Sequence, residues 1–159
     1  QMETVLKIAR EMGSSIQVKP EGIQVCVRKS LQACPYIKTD VYDGFPTDLQ
    51  SPMMVALAVA RGESCIEERI FEDRFRIIED LKKMGADIHA AGSSARIHGV
   101  DRLKGAEVAA QELRGGAALV VAGLAAKGET LIRNRHFIER GYEDICRDFK
   151  RLGADIRIE

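Results

Sequence analysis

The chain has 159 residues, and its 24 lysines and arginines balance 24 aspartates and glutamates, so its formal net charge at pH 7 is zero. This balance, without a long basic run, lacks the electrostatic footprint of a protein that binds nucleic acid or an anionic membrane. The four cysteines lack the paired short spacings of a zinc site, and no apolar run is long enough to span a bilayer. We therefore expect one soluble, cytoplasmic domain with reduced thiols, without a metal or any other cofactor.

The first third of the chain predicts one helix and a pair of strands. Residues 4–12 place apolar side chains at helical spacing, and Gly13 supplies a stop, since glycine adopts the left-handed conformation common at helix C-termini. Residues 16–18 and 23–27 alternate apolar and polar side chains on either side of a Pro-Glu-Gly turn. Residues 29–43 are predicted to form an extended connector.

Two further helices are predicted to lie inside the protein. The first covers residues 46–60 and begins near Pro46 or at Ser51, where serine followed by proline suits an N-cap and a first helical position. Residues 53–60 are all apolar, so this helix is expected to have no solvent face. Residues 115–126 have the same all-apolar character and the same expected burial.

The remaining periodic segments predict amphipathic helices and strands. Residues 75–84 and 142–152 carry apolar side chains on one face only, which is typical of helices that cover the outside of a domain. A strand is predicted between each buried and each amphipathic helix, and two more follow the first amphipathic helix: 64–71, 130–137, 86–90 and 95–98.

The order of these elements repeats along the chain. One constant offset aligns residues 60–64 (ARGES) with 126–130 (AKGET), and residues 9–13 begin a weaker copy. Each unit is helix, strand, helix, strand, strand, with the all-apolar helices at the centre. The predicted fold is therefore an incomplete inside-out α/β barrel domain. We divide this single domain into three copies, of which the outer two are partial: 1–43, 44–110 and 111–159.

Charged residues recur at equivalent positions of the repeats, at or just before predicted helix starts: Asp48, Arg74, Arg114 and Arg140. Helix starts expose unpaired N–H groups and a partial positive charge, which favour anions. At 114–116 the sequence is Arg-Gly-Gly, where the missing side chains let a phosphate or carboxylate approach free backbone donors beside a guanidinium. A shared axis would gather these residues in one cleft, with arginines for a doubly charged anion and an aspartate as a base.

Simpler roles remain open for the same residues. A single arginine at a helix start is usually a solvated surface residue, and Asp48 can serve as a capping carboxylate without any chemistry. The histidines are scattered and lack a paired ligand or nucleophile, so we assign no catalytic role to His89, His98 or His136.

Four short motifs carry the most specific signal: FPTDLQ at 45–50, FEDRF at 71–75, LRGGA at 113–117 and RGYE at 140–143. In order and spacing they resemble the second half of the UDP-N-acetylglucosamine 1-carboxyvinyltransferases, a family of enolpyruvyl transferases, and the resemblance covers almost the whole chain. It implies two inside-out α/β domains with the active site in the cleft between them. It also implies transfer of enolpyruvyl from phosphoenolpyruvate to the 3-hydroxyl of UDP-N-acetylglucosamine, with release of phosphate, in peptidoglycan synthesis.

The resemblance implies roles for individual residues. Asp48 matches the family aspartate that contacts the sugar 3-hydroxyl and is the favoured base, and Ile70 matches a backbone contact to the UDP-sugar. Three arginines match those that face phosphoenolpyruvate and phosphate: Arg74, Arg114 and Arg140. The cysteine that donates a proton in the family lies in the other domain, so no cysteine of this chain takes that role.

Three positions depart from the family pattern, since Asp73 replaces an asparagine and Glu112 and Glu139 replace aspartates. They suggest a divergent paralogue. Without the second domain we expect the isolated chain to be inactive, and the uncovered strand edge and helix flank at 4–27 to favour self-association. Two alternatives remain open: a 5-enolpyruvylshikimate-3-phosphate synthase-like enzyme, and a non-catalytic anion-binding or assembly module on the same fold.

Overall fold

A computed structural model describes residues 2–159 as alternating helices and short strands. The helices are α1 Glu3–Glu11, α2 Gln50–Ala58, α3 Ile78–Lys83, α4 Leu113–Ala125, α5 His136–Glu139 and α6 Ile145–Arg151, and a 3₁₀ turn at Thr47–Leu49 leads into α2. The strands are β1 Ser15–Lys19, β2 Gly22–Cys26, β3 Ile37–Lys38, β4 Glu63–Glu67, β5 Asp87–Ala91, β6 Ser94–His98, β7 Glu107–Ala109 and β8 Leu131–Arg133.

The strands of residues 2–159 form three separate sheets. β1 and β2 make an antiparallel hairpin. The central sheet has the order β3-β4-β6-β5, in which β3 runs parallel to β4 and the other neighbours are antiparallel. β7 and β8 form a parallel pair. The α/β class is as predicted, and residues 50–98 follow the predicted succession of helix, strand, helix, strand, strand along the chain. The barrel is not closed.

α2 and α4 pack against each other at the centre, as the apolar sequence of both predicts. Seven of the nine residues of α2 are buried, which confirms its interior position. α4 differs from the prediction, because Val121 and Leu124 on its outer flank are 37% and 38% exposed. α4 is therefore buried on the side that faces α2 and open on the other.

Both predicted strands that follow the buried helices are too long. β4 ends at Glu67, because the next carboxylate, Glu68, turns inward and accepts hydrogen bonds from the backbone N–H groups of Ile70 and Phe71. β8 ends at Arg133, and the chain then passes through Asn134 at φ 61° into α5. The alternation of apolar and polar residues does not predict turns that are set by contacts with residues distant in sequence.

Helix bounds also differ from the prediction. The helix predicted at 75–84 is regular only at Ile78–Lys83, because the residues before Ile78 form turns. The helix predicted at 142–152 is α6, which begins later, after Asp144. The Asp144 carboxylate accepts the Arg147 N–H at 2.8 Å as an N-cap. The predicted connector 29–43 contains β3, which is short because only two residues pair with β4.

Three helices end in the same way, at a glycine in the left-handed region. Gly13, Gly85 and Gly153 have φ values of 97°, 87° and 92° and follow α1, α3 and α6. This common stop agrees with the predicted helix end at Gly13 and with the sequence repeat. The bounds that we assigned to the three copies stay a prediction.

The β1–β2 hairpin carries apolar side chains in solvent. Val18, Ile23 and Val25 are 64%, 46% and 56% exposed, and Val18 stands opposite Ile23 in the pairing register. Exposed apolar side chains favour association. This exposure is consistent with the self-association predicted for residues 4–27, which stays a prediction. From residue 2 to 159, none of the helices has the length and apolar content to cross a bilayer.

Candidate functional site

Asp48 and Arg114 form a two-point ion pair. Arg114 Nε donates to Asp48 Oδ1 at 2.8 Å and Nη2 donates to Oδ2 at 3.0 Å. The 3₁₀ turn places Asp48 just before α2, and the first turn of α4 carries Arg114, so the packing of α2 on α4 brings the two together. The hydrogen bond to Asp48 raises the pKa of the Arg114 guanidinium, which stays fully charged.

Arg74 lies beside this pair. Its Nη2 is 3.8 Å from Asp48 Oδ1 and its Nη1 is 3.9 Å from Glu112 Oε2, which are ion-pair distances rather than hydrogen bonds. The guanidinium carbon stands 4.6 Å from the centre of the Phe71 ring, in a cation–π contact. Only 15% of the Arg74 side chain is exposed. Three of the predicted site residues therefore meet in one cluster.

The start of α4 is already capped. The Glu112 carboxylate accepts the N–H of Arg114 at 2.9 Å and also the N–H of Gly115, and the Glu112 carbonyl accepts the N–H of Gly116. The prediction that these donors are free for a ligand is wrong, because an internal carboxylate already neutralises the helix start. Anion binding in this region must depend on the arginine side chains.

The two glycines at the start of α4 serve packing instead of ligand access. Both are buried, and a Cβ on Gly116 would lie 2.7 Å from Ile138 Cγ1 of α5. A Cβ on Gly115 would lie 2.6 Å from Glu112 Oε1. They let α5 and the capping carboxylate approach α4 closely, which fixes the backbone that carries Arg114.

We expect Glu112→Ala to destabilise the chain by about 0.5–2 kcal/mol, the usual cost of losing an N-cap side chain. Glu112→Asp is expected to stay within about 0.5 kcal/mol, since aspartate is a favoured N-cap residue and keeps a carboxylate at the helix start. Urea denaturation followed by circular dichroism measures both. Glu129→Ala is the matched control, because Glu129 is exposed and lies outside any cap. Equal effects of the two alanine variants would show that the cap contributes nothing.

Arg140 was predicted to stand at a helix start, but it lies at the C-terminal end of α5. The predicted position was wrong because the segment before it folds into α5 rather than into a strand. Arg140 is exposed, and within residues 2–159 it makes no ion pair or side-chain hydrogen bond with the cluster. The next residue, Gly141, packs on Leu113, where an added Cβ would lie 2.7 Å from Leu113 Cδ2. Arg140 therefore lies near the first turn of α4 without joining the ion pairs.

Ile70 lies in the turn between β4 and Arg74, and 37% of its surface is exposed. Its N–H donates to Glu68 Oε1 at 2.9 Å. Because that donor is occupied, a backbone contact from Ile70 to a ligand would use its carbonyl oxygen. Sequence reasoning gave no role to Glu68, although a carboxylate at the inward-facing end of a strand was a visible signal.

An open cleft of about 210 Å³, which we call the Arg74 cleft, lies next to the cluster. Its walls are Phe71, Glu72, Asp73, Arg74, Arg76 and Glu112. Asp73 is tied to Arg76 by two hydrogen bonds, of which that from Nε is 2.7 Å. The lining of the cleft thus includes one partly buried arginine, Arg74, a group that suits a phosphate or carboxylate.

Other reactive residues lie outside the cluster. Burial raises the pKa values of the Cys34 and Cys146 thiols, so both stay protonated and weakly nucleophilic. His89 and His98 pair with Asp87 and Glu63 on the central sheet. Over the described part of the chain, no three His, Cys, Asp or Glu side chains are grouped so that they could hold a metal ion.

Comparison with known families identifies the relatives of this chain. The profile of EPSP synthase (3-phosphoshikimate 1-carboxyvinyltransferase) matches residues 1–149. A UDP-N-acetylglucosamine 1-carboxyvinyltransferase of Halothermothrix orenii is 47% identical over 156 residues, which is 98% of this chain and 37% of that protein. A protein of the same name from Desulfofundulus thermocisternus is 48% identical, over 98% of this chain and 63% of its own length.

Solved structures agree with this relationship. The enolpyruvyl transferase NikO of Streptomyces tendae superimposes with a TM-score of 0.88 at 28% identity, over 98% of this chain and 36% of that one. An EPSP synthase of Acinetobacter baumannii shares the fold with a TM-score of 0.65 at 22% identity, over 98% of this chain and 37% of that one.

The chain spans only part of each of these relatives, with 37% of the Halothermothrix protein and 63% of the Desulfofundulus protein covered. Over that part it resembles proteins named UDP-N-acetylglucosamine 1-carboxyvinyltransferase at 47% and 48% identity, well above its 22% identity to the Acinetobacter EPSP synthase. The family profile covers residues 1–149, which is most of the chain. The chain therefore belongs to the EPSP synthase (3-phosphoshikimate 1-carboxyvinyltransferase) family.

Proposed function

We propose that this chain is part of a longer enzyme that transfers enolpyruvyl from phosphoenolpyruvate to the 3-hydroxyl of UDP-N-acetylglucosamine. The proposal places the enzyme in the cytoplasm, in the synthesis of the cell wall. The observation that carries it is the two-point Asp48–Arg114 pair flanked by Arg74, which joins a base to two anion-binding groups. The names of the relatives supply the substrate.

The Asp48–Arg114 pair orients the carboxylate and leaves it able to act as a base. Each carboxylate oxygen of Asp48 accepts one hydrogen bond from Arg114 and keeps a second lone pair that can accept the proton of a sugar hydroxyl. The two side chains are 58% and 37% exposed, and an exposed pair of this kind is worth about 0–1 kcal/mol. The Arg114 N–H groups that do not contact Asp48 remain available to a phosphate or carboxylate. A substrate anion can therefore bind Arg114 while Asp48 stays oriented as the base.

The transfer reaction assigns each group a task. Asp48 accepts the proton of the 3-hydroxyl, whose oxygen forms a bond to C2 of the enolpyruvyl group. As that bond forms, the double-bond electron pair moves to C3, which takes a proton from an acid in the other domain of the enzyme. C3 then gives up a proton, the double bond re-forms, and the bond from C2 to the phosphate oxygen breaks so that phosphate leaves. Arg74 and Arg114 stabilise the negative charge on the carboxylate and phosphate, and the exposed Arg140 contributes once the cleft is enclosed. In this proposal Ile70 orients the UDP-sugar through its backbone carbonyl.

A 5-enolpyruvylshikimate-3-phosphate synthase-like reaction is the second candidate, because the matched family profile carries that description. The identities of 47% and 48% to proteins named for UDP-N-acetylglucosamine favour the first. The two reactions share phosphoenolpyruvate and differ in the acceptor, so an acceptor assay separates them.

The isolated chain is expected to release no phosphate from phosphoenolpyruvate and UDP-N-acetylglucosamine. The Arg74 cleft is open to solvent, and a site that does not exclude water or hold both substrates cannot stabilise the developing charges. A phosphate assay with a heat-denatured control measures this, and the full-length enzyme in the same assay is the positive control. Release by the purified chain that disappears in its Asp48→Asn variant would contradict the expectation.

A further inference from the structure

Glu68 is a buried carboxylate without a cationic partner. Its residue exposure is 4%, and no Lys, Arg or His of residues 2–159 approaches it within ion-pair distance. A buried charge is costly unless hydrogen bonds satisfy it, and an apolar side chain would fill the same space at lower cost. The position of Glu68 therefore calls for an explanation other than core packing.

Four hydrogen bonds compensate the charge, and they come from three segments of the chain. Glu68 Oε1 accepts from Thr39 Oγ1 at 2.9 Å, from Ile70 N at 2.9 Å and from Phe71 N at 3.1 Å. Glu68 Oε2 accepts from Thr47 Oγ1 at 2.9 Å. Thr39 also accepts the N–H of Arg69 at 2.9 Å. One carboxylate thus joins the end of β3, the 3₁₀ turn before α2 and the turn after β4.

Two of these segments adjoin the ion-pair cluster, which consists of Asp48, Arg74 and Arg114. Thr47 directly precedes Asp48, and the Phe71 ring lies 4.6 Å beneath the Arg74 guanidinium. Glu68 is bound to both sides, so it fixes the spacing between the carboxylate and the arginine across the cleft. Leaving a buried acceptor unsatisfied costs free energy, so the four hydrogen bonds resist separation of the three segments.

We propose that Glu68 is a positioning residue for the active site: through Thr47 it holds Asp48, and through the turn at 70–71 it holds Arg74, in the geometry that the reaction needs. The kinetic part of this inference rests on the proposed function. Glu68 contacts no substrate in this account, so its effect must pass through Thr47 or through the turn.

Thr47→Val removes only the link from Glu68 to the Asp48 segment, and Thr47→Ser keeps the hydroxyl. In the full-length enzyme we expect Thr47→Val to lower kcat at least fivefold and Thr47→Ser to retain kcat within twofold. The double variant Thr47→Val/Glu68→Ala is expected to lose no more kcat than Glu68→Ala alone, because both changes interrupt the same series of contacts. Glu67→Gln is the matched control, since Glu67 contacts Tyr36 and Arg69 and no part of the cluster. It is expected to retain kcat within twofold.

A folded Thr47→Val enzyme with the kcat of the unchanged protein would overturn the proposal, and so would losses that add fully in the double variant. Glu68→Ala that lowers only the melting temperature, with unchanged kcat of the folded enzyme, would show a merely structural role. Amide hydrogen exchange at Ile70 and Phe71 in the isolated chain, followed by NMR, gives a readout without activity. We expect Glu68→Ala to speed exchange at both at least tenfold, and unchanged exchange overturns the positioning role. If the unchanged full-length protein transfers no enolpyruvyl group, the proposed function fails, and hydrogen exchange alone decides the role of Glu68.

Discussion

Asp48→Asn in the full-length enzyme is expected to lower kcat by about 10²- to 10⁴-fold, the usual contribution of a general base. Asparagine has nearly the same shape and can still accept one hydrogen bond from Arg114, but it cannot take the proton of a sugar hydroxyl. The loss should therefore appear in kcat more than in the KM for phosphoenolpyruvate. Binding of the anion depends on the arginines, which remain charged.

Asp73→Asn provides the matched control for this experiment. Asp73 lines the Arg74 cleft, is 67% exposed and pairs with Arg76 rather than with the cluster. It undergoes the same change of charge, and asparagine tolerates its left-handed backbone at φ 58°. We expect its kcat to stay within threefold of the unchanged enzyme. Comparable losses in both variants would assign the effect to general electrostatics and would contradict a base at Asp48.

Arg114→Ala is expected to reduce kcat/KM for phosphoenolpyruvate more than tenfold. In the proposed reaction the change removes a charge-assisted hydrogen bond to the substrate anion, worth about 1.5–3 kcal/mol. It also leaves Asp48 without its two-point partner, with only Arg74 at 3.8 Å to orient it. Arg114→Lys is expected to recover part of the loss, because an ammonium keeps the charge but not the planar fork.

Steady-state kinetics with a thermal-melting check measures both variants, and Arg133→Ala is the control. Arg133 forms a comparable exposed ion pair, to Glu107 Oε1 at 2.9 Å, on β8. It lies away from the ion-pair cluster, so its loss should leave kcat/KM within twofold. A folded Arg114→Ala enzyme with unchanged kcat/KM would show that Arg114 is a surface residue and that its assigned role is wrong.

Local sequence patterns predicted the helices at the centre and the strands of the full repeat. Residues 53–60 are all apolar, and α2 is buried accordingly. The same reasoning overextended the strand at 64–71, because the inward turn of Glu68 depends on Thr39 and Thr47, which are distant in sequence. Strand ends that are set by such tertiary hydrogen bonds leave no periodic signal.

The site was predictable where the repeat aligned residues and unpredictable where capping decided the geometry. The common offset aligned Asp48 with Arg114 as equivalent positions of the repeat, which predicted that they lie in one cleft. In the structure the two side chains form an ion pair. The Arg-Gly-Gly pattern suggested free donors, but Glu112 folds back onto them, an outcome that depends on one rotamer. Arg140 was misplaced because the four-residue helix α5 is too short to show a helical period.

The measurement that tests the central claim most directly is acceptor-dependent phosphate release by the full-length enzyme. Phosphoenolpyruvate is offered with UDP-N-acetylglucosamine or with 3-phosphoshikimate, and phosphate is followed for the unchanged enzyme and for Asp48→Asn. The account predicts release only with UDP-N-acetylglucosamine, and its loss in Asp48→Asn. Release with 3-phosphoshikimate alone, or no release with either acceptor from a folded enzyme, would contradict it.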